Sequence, residues 1–165
     1  MEFMDNNPNV DFSGGSISEF NIKRENVVNI RNYPTDMSEI INILPKSSPF
    51  AHVTVCFRGG FFDKYGVYPT NYPLNEDIAF WLSSLKQEAK GSNIRDILVD
   101  VRMDDAYARR TVKKSISEFK VFLCCAKWCG RGYLHPFLRL LFRLFPKKLI
   151  KLIYNSKIRT FFIER

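Results

Sequence analysis

Apolar and polar residues recur along this chain with two periods, and the changes of period divide it into elements. Ile78, Trp81, Leu82, Leu85 and Ala89 lie three or four residues apart, which marks one face of a helix. Asn75 stands where its N-cap belongs, and Glu76 and Asp77 fall in the first turn, where acids favour the helix dipole. Asp77 and Trp81 are one turn apart, so the spacing predicts an acid and a broad ring projecting toward one cleft. Residues 10–20 alternate around Gly14-Gly15, which predicts a strand with a bulge or a close backbone approach in its middle. Residues 27–31, 52–58 and 94–102 read as further strands, with Gly91-Ser92-Asn93 as a helix stop before the last. Helices are predicted over residues 2–7, ending before Pro8, and over 37–44, opened by Thr35 or Asp36 and ended by Pro45. A short one follows Gly59-Gly60, and a long one, capped by Asp104 or Asp105, runs from 106 to about 128. Residues 66–74, rich in Pro, Tyr and Asn, form the loop that leads to Asn75.

Beyond His135 the pattern changes in kind. Phe137-Leu138-Arg139-Leu140-Leu141-Phe142-Arg143-Leu144-Phe145 and then Lys147-Lys148-Leu149-Ile150-Lys151-Leu152-Ile153-Tyr154 interleave large apolar residues with basic ones. No uncharged apolar run approaches the roughly 20 residues a spanning helix needs. Arg139 and Arg143 share one face with Phe142 and leucines elsewhere, and Lys147, Lys148 and Lys151 continue the basic series, as in a helix lying in a lipid interface. Pro146 breaks it into two pieces. The alternative is a basic amphipathic helix packed on its own domain.

Charge sharpens this division. The net charge of +8 looks like a nucleic-acid signal until it is located: residues 1–126 carry 15 Lys/Arg against 16 Asp/Glu, and residues 127–165 carry 10 against one. Phosphate tracking does not call for so many Phe and Leu beside the basic residues, so no nucleic-acid partner is expected. The first residues lack the basic and apolar regions of a secretory signal, which points to a cytoplasmic chain. Cys56, Cys124, Cys125 and Cys129 include no Cys-x-x-Cys pair, so free thiols are expected in place of disulfides or a zinc site with His135. At 165 residues the chain suits one domain with a real core.

Several motifs in order carry a family likeness. Residues 3–15, Phe3-Met4-Asp5-Asn6-Asn7-Pro8-Asn9-Val10-Asp11-Phe12-Ser13-Gly14-Gly15, resemble the segment that follows the metal-binding Asp-x-Asp strand of family 2 glycosyltransferases of the GT-A fold. Ser48-Pro49-Phe50-Ala51-His52-Val53-Thr54-Val55-Cys56-Phe57-Arg58 is similar to that family's Asn-Pro-Phe, His and "TVMFR" stretch. Phe62-Asp63-Lys64-Tyr65-Gly66-Val67-Tyr68 resembles its "EKVGGY", and Asn75-Glu76-Asp77-Ile78-Ala79-Phe80-Trp81-Leu82 its "xEDYDLWLR".

The resemblance implies an α/β chain: the incomplete, Rossmann-like C-terminal half of a GT-A domain with a mixed sheet, followed by basic amphipathic helices. Residues 1–103 would be the acceptor-side part, 104–133 a long helix and linker, and 134–165 the membrane-interfacial helices. It implies inverting transfer of a sugar from a nucleotide-diphosphate sugar to a saccharide or lipid-linked acceptor in surface polysaccharide synthesis. Asp77 would be the general base and Glu76 an orienting or acceptor-binding acid. Trp81 is open between a sugar-stacking surface and core, Arg102 between a diphosphate partner and an ion pair with Asp100 or Asp104, and His52 between substrate contact and a satisfied strand position. A divalent ion, Mg or Mn, is expected for the complete enzyme and none for this chain alone, since the sequence has no Asp-x-Asp. The chain is thus expected to be a fragment inactive by itself, with a missing N-terminal half as partner and a peripheral place on an anionic inner membrane face. A competing class is a non-enzymatic membrane-surface adaptor that uses the basic tail.

Overall fold

The computed structural model describes residues 2–103 and 111–144. Within them the architecture is α/β, with helices set against a mixed four-stranded sheet. Strand β1 (Phe12–Phe20) is its centre. One edge of β1 is shared by two antiparallel partners, β3 (Cys56–Phe57) at Phe12 and Ser13 and β2 (Val27–Arg31) from Ile17 onward. Along the other edge runs β4 (Gly91–Arg102), parallel to β1 from Phe12↔Gly91 to Phe20↔Arg102.

Small residues let β1 hold this central place. A Cβ on Gly14 would lie 2.5 Å from Asn93 Oδ1, and one on Gly15 2.6 Å from Leu98 Cδ1. The register with β4 shifts on either side of Ser16, so the glycine pair marks a close approach and an irregularity together. Gly91 is equally confined, its missing Cβ lying 2.5 Å from the Phe12 ring. Gly91→Ala is therefore expected to cost about 1–3 kcal/mol, because both rings it would meet belong to the core. Urea unfolding measures it; an unchanged midpoint would show that the rings move aside freely.

That core is aromatic. Phe12 stacks on Trp81 at 5.4 Å with the ring planes 5° apart, and Phe50 lies 4.8 Å from Phe12. Helix α3 (Phe61–Tyr65) adds Phe61, and helix α4 (Glu76–Lys86) adds Phe80 and Leu85. Helix α2 (Met37–Ile43), capped by Asp36, which accepts from the Glu39 N–H, contributes Ile40. Arg58, the last residue of the "TVMFR"-like stretch, straps the N-terminal segment. Its guanidinium donates to the carbonyls of Val10, Met4 and Asn7, which holds the short helix α1 (Glu2–Asn6) and the turn after it.

Several boundaries differ from the sequence reading. The strand expected over 52–58 shrinks to Cys56–Phe57, because His52–Thr54 closes into a 3-10 turn. Thr54 Oγ1 makes the turn possible by donating to the Ala51 carbonyl and accepting from the Gly15 N–H. Gly91–Asn93 is not the helix stop but the first part of β4; the turn out of α4 is made by Glu88 at φ +65°. Asn75 occupies the N-cap position without capping: its amide donates to the Pro73 and Lys114 carbonyls. The long helix α5 (Val112–Trp128) is capped by Thr111, whose side chain accepts from the Lys114 N–H. Asp104 and Asp105, expected as its caps, lie outside the described residues, as do Lys147, Lys148 and Lys151.

Helix α6 (Leu134–Leu144) packs against α5 with its arginines inward. Arg139 Nη2 reaches Glu118 Oε1 at 2.5 Å and Nη1 the Lys46 carbonyl at 2.8 Å, while the guanidinium covers the Phe122 ring at 4.4 Å. Arg143 joins the same carboxylate at 2.7 Å. The two arginines expected at a lipid surface are spent on Glu118 because its carboxylate, buried on α5, needs a counter-charge. No helix among the described residues is long and apolar enough to cross a membrane.

Candidate active site

The site forms where three backbone segments converge on the first turn of α4. The first follows β2, and the start of β4 fixes it: Ser92 Oγ donates to the Thr35 carbonyl at 2.6 Å and Asn93 Nδ2 to the Pro34 carbonyl at 2.7 Å. This sets Tyr33. The same Asn93 amide donates to the Pro49 carbonyl at 3.0 Å, tying in the second segment, which carries Phe50 and His52. The third, residues 66–74, brings Tyr68, whose Oη lies 3.4 Å from His52 Nδ1 with the two rings edge to face. One buried amide thus coordinates two of the three walls.

Asp77 stands among them. Its carboxylate lies within electrostatic reach of the phenols of Tyr33 and Tyr68, and it makes no hydrogen bond or ion pair among the described residues. Burial is the main cause raising the Tyr68 phenol above its ordinary 10.0, and Asp77 adds to it. Burial also dominates at Tyr33; Arg31 opposes the rise, while Glu19 and Asp77 support it. Both phenols stay protonated at neutral pH and can donate hydrogen bonds toward whatever Asp77 engages. These hydroxyls can hold a polyhydroxylated ligand, and the half-buried Asp77 carboxylate within their electrostatic reach can accept a proton from it.

The other predicted residues take different places. Glu76 Oε1 accepts from the Leu74 N–H at 2.9 Å, bracing a residue held at φ +64° and so setting the angle at which the loop joins α4. Trp81 is fully buried, stacked on Phe12 and tilted against Phe50 at 5.3 Å, so the ring expected to share a cleft with Asp77 belongs to the core. Phe80 and Trp81 both point inward because α4 is covered on two sides, which its apolar spacing alone did not reveal. His52 is exposed on its turn, joined to Tyr68. Arg102 ends β4 opposite Phe20, donating to the Ile22 carbonyl at 2.9 Å and lying 5.8 Å over the Phe20 ring. Asp100, weighed as its partner, engages Ser18 and Arg24.

Tyr33 and Tyr68 escaped the sequence reading. Tyr68 closes the stretch that resembles "EKVGGY" but was given no role, and the signal at Tyr33 was compositional, a tyrosine next to a proline in a segment that had to be a loop. Among the described residues no three His, Cys, Asp or Glu side chains gather into a metal-holding group, so the divalent ion implied by the resemblance finds no donor set there. The four cysteines are free.

Three relatives frame this geometry. The chain is 31% identical to an uncharacterized glycosyltransferase of Haemophilus influenzae over 163 residues, 95% of this chain and 60% of that protein. It is 30% identical to the UDP-Gal:alpha-D-GlcNAc-diphosphoundecaprenol beta-1,3-galactosyltransferase of Escherichia coli, across 98% of this chain and 60% of that one. To the amylovoran biosynthesis glycosyltransferase AmsE of Erwinia amylovora it is 26% identical, across 94% of this chain and 60% of the relative. The chain therefore spans about 60% of the length of the curated relatives it matches. No family model and no solved structure matches it. Along nearly its whole length the chain is therefore similar to proteins named as glycosyltransferases.

Proposed function

We propose that the chain is the acceptor side of an inverting, family 2-like glycosyltransferase of surface polysaccharide synthesis, with Asp77 as its general base. The Asp77 carboxylate, uncommitted among the described residues and within electrostatic reach of the Tyr33 and Tyr68 phenols, carries this reading. An acceptor hydroxyl attacking the anomeric carbon must lose its proton as the new bond forms, and a carboxylate within hydrogen-bond reach takes it. Tyr68, His52 and Tyr33 would orient the acceptor, and Glu76 would hold the loop that presents Asp77. Trp81 would act from behind, as the core residue on which α4 seats. The named acceptor of the Escherichia coli relative, a GlcNAc unit on a diphospholipid, supports a lipid-linked saccharide as acceptor and a nucleotide-diphosphate sugar as donor. Donor binding and the divalent ion belong, on this reading, to polypeptide beyond these 165 residues, the partner half of a GT-A domain. The chain would then be inactive alone and would work peripherally on the inner face of the plasma membrane.

The test combines the chain with a donor-binding half and supplies UDP-galactose, Mn²⁺ and a GlcNAc-diphospholipid. Transfer to the lipid is expected. If no nucleotide sugar in a broader panel gives product, the glycosyltransferase reading falls.

A further inference from the structure

Turning Arg139 and Arg143 inward has a consequence for the opposite face of α6. Leu134, Phe137, Leu138 and Leu141 follow the i, i+3, i+4, i+7 spacing of one helical face, and all are exposed, from 49% at Leu138 to 68% at Leu134. An amphipathic helix on a soluble domain normally buries such a row. Here the arginines turn toward α5, half-buried, and this apolar row is outside.

Helix α5 continues the surface. Val112, Ile116, Phe119 and Leu123 form its own outward row; Val112 is 69% and Ile116 47% exposed, and Phe119 meets Phe137 of α6 edge to face at 5.0 Å. Leu123, Cys124 and Lys127 of α5 share a shallow cavity of about 230 Å³ with Tyr133, the residue just before α6, and the Phe119–Phe137 contact joins the two helices along the same surface. Beside this row stand Lys113, Lys120 and Lys127, seven residues apart along α5 and all exposed. Successive heptad steps drift only about 20° around a helix, so the three ammonium groups line one flank. From 127 to 144 there is no acidic residue, and Glu118, on the other side of α5, is neutralised by the arginines.

We propose that this α5–α6 surface inserts into the headgroup region of an anionic phospholipid bilayer, α6 supplying the apolar wedge and the α5 lysines the headgroup contacts. The inference deepens the peripheral-membrane part of the reading above and rests on it. A protein groove would suit the leucines but would not explain a flanking row of one sign, whereas an interface-lying helix has apolar residues on one side and Lys or Arg along its borders. Charge complementarity favours lipid further, because the chain from 127 onward carries 10 basic residues against one acid. Arg139 and Arg143 then act indirectly. They fix the helix so that its apolar face cannot roll inward.

Flotation of the full chain with vesicles of 7:3 phosphatidylcholine:phosphatidylglycerol, and with phosphatidylcholine alone, tests the assignment. The double substitution Leu138→Ser, Leu141→Ser is expected to lower partitioning onto the anionic vesicles at least about tenfold with circular dichroism unchanged, since both side chains face solvent. Lys113→Glu, Lys120→Glu and Lys127→Glu together should abolish the preference for anionic over neutral vesicles. If the wild-type chain binds neither vesicle, the peripheral reading and the surface fall together. If it binds and the leucine variant binds equally well, the surface alone is overturned, and binding belongs to the chain after 144. A concentration-dependent dimer in sedimentation, lost in the leucine variant and unaffected by vesicles, would likewise overturn it by showing a second copy on this face.

Discussion

Asp77→Asn, in the chain joined to its donor-binding half, is expected to lower kcat for sugar transfer by about 10³-fold while leaving donor affinity unchanged. The replacement keeps the size and one oxygen of the side chain and removes its ability to take a proton, a role worth roughly 10²–10⁴ in rate. Few structural losses accompany it. Asp77 makes no hydrogen bond or ion pair among the described residues, so stability should stay within about 0.5 kcal/mol of the parent. A second readout needs no activity. The Tyr68 phenol is raised first by burial and then by Asp77, so the variant keeps the larger cause and loses the smaller. Its phenol should then ionise at a lower pH than in the parent, seen as an earlier rise of phenolate absorbance in alkaline titration. Transfer retained at parental kcat would remove Asp77 from the mechanism; an unmoved Tyr68 titration would show that the carboxylate does not face that wall.

The contrast between Asp77 and Trp81 explains how far the sequence carried. Periodicity found α4 and its start, since Ile78, Trp81, Leu82 and Leu85 at helical spacing leave little choice of element, while Ala89 falls beyond its end. Spacing alone says which residues share a side of a helix, not how many sides are covered. Phe12, reaching across from the central strand, claims Trp81 by stacking, and only tertiary packing decides that. The glycine pair in β1 was legible because a missing Cβ has few uses inside a strand, and both expected consequences occur. The site walls were not. The segments that carry Tyr33 and His52 are tied to each other because one asparagine amide, Asn93, donates to the Pro34 and Pro49 carbonyls, far apart in sequence, and no local pattern encodes a contact of that kind. The tail shows the converse: its amphipathic pattern was plain, but which face turned inward depended on Glu118, an acid inside a different helix.

Glu118→Gln is expected to destabilise the α5–α6 pair by about 3 kcal/mol, because a buried carboxylate serving two arginines is removed while both guanidiniums stay half-buried. Burial by itself pushes the Glu118 carboxyl up; Arg139 and Arg143 together outweigh it, and the net shift is downward from 4.5. A folded value below the unfolded one means that the stabilisation is complete above the ordinary carboxylate range and is lost as pH falls through the folded value. In the parent, then, α6 should loosen from α5 only in acid, below the ordinary carboxylate range, and the Gln variant should show it loosened already at neutral pH. Amide hydrogen exchange separates this from general unfolding: protection across residues 134–144 should drop about a hundredfold while β1 and α4 keep theirs. Equal protection of α6 in parent and variant would mean that apolar contacts such as Phe119 with Phe137 hold the helix without the ion pair. The distinction bears on the lipid surface directly, since a helix fixed by its arginines presents its leucines outward at a defined angle, and one held only by rings is free to turn them in.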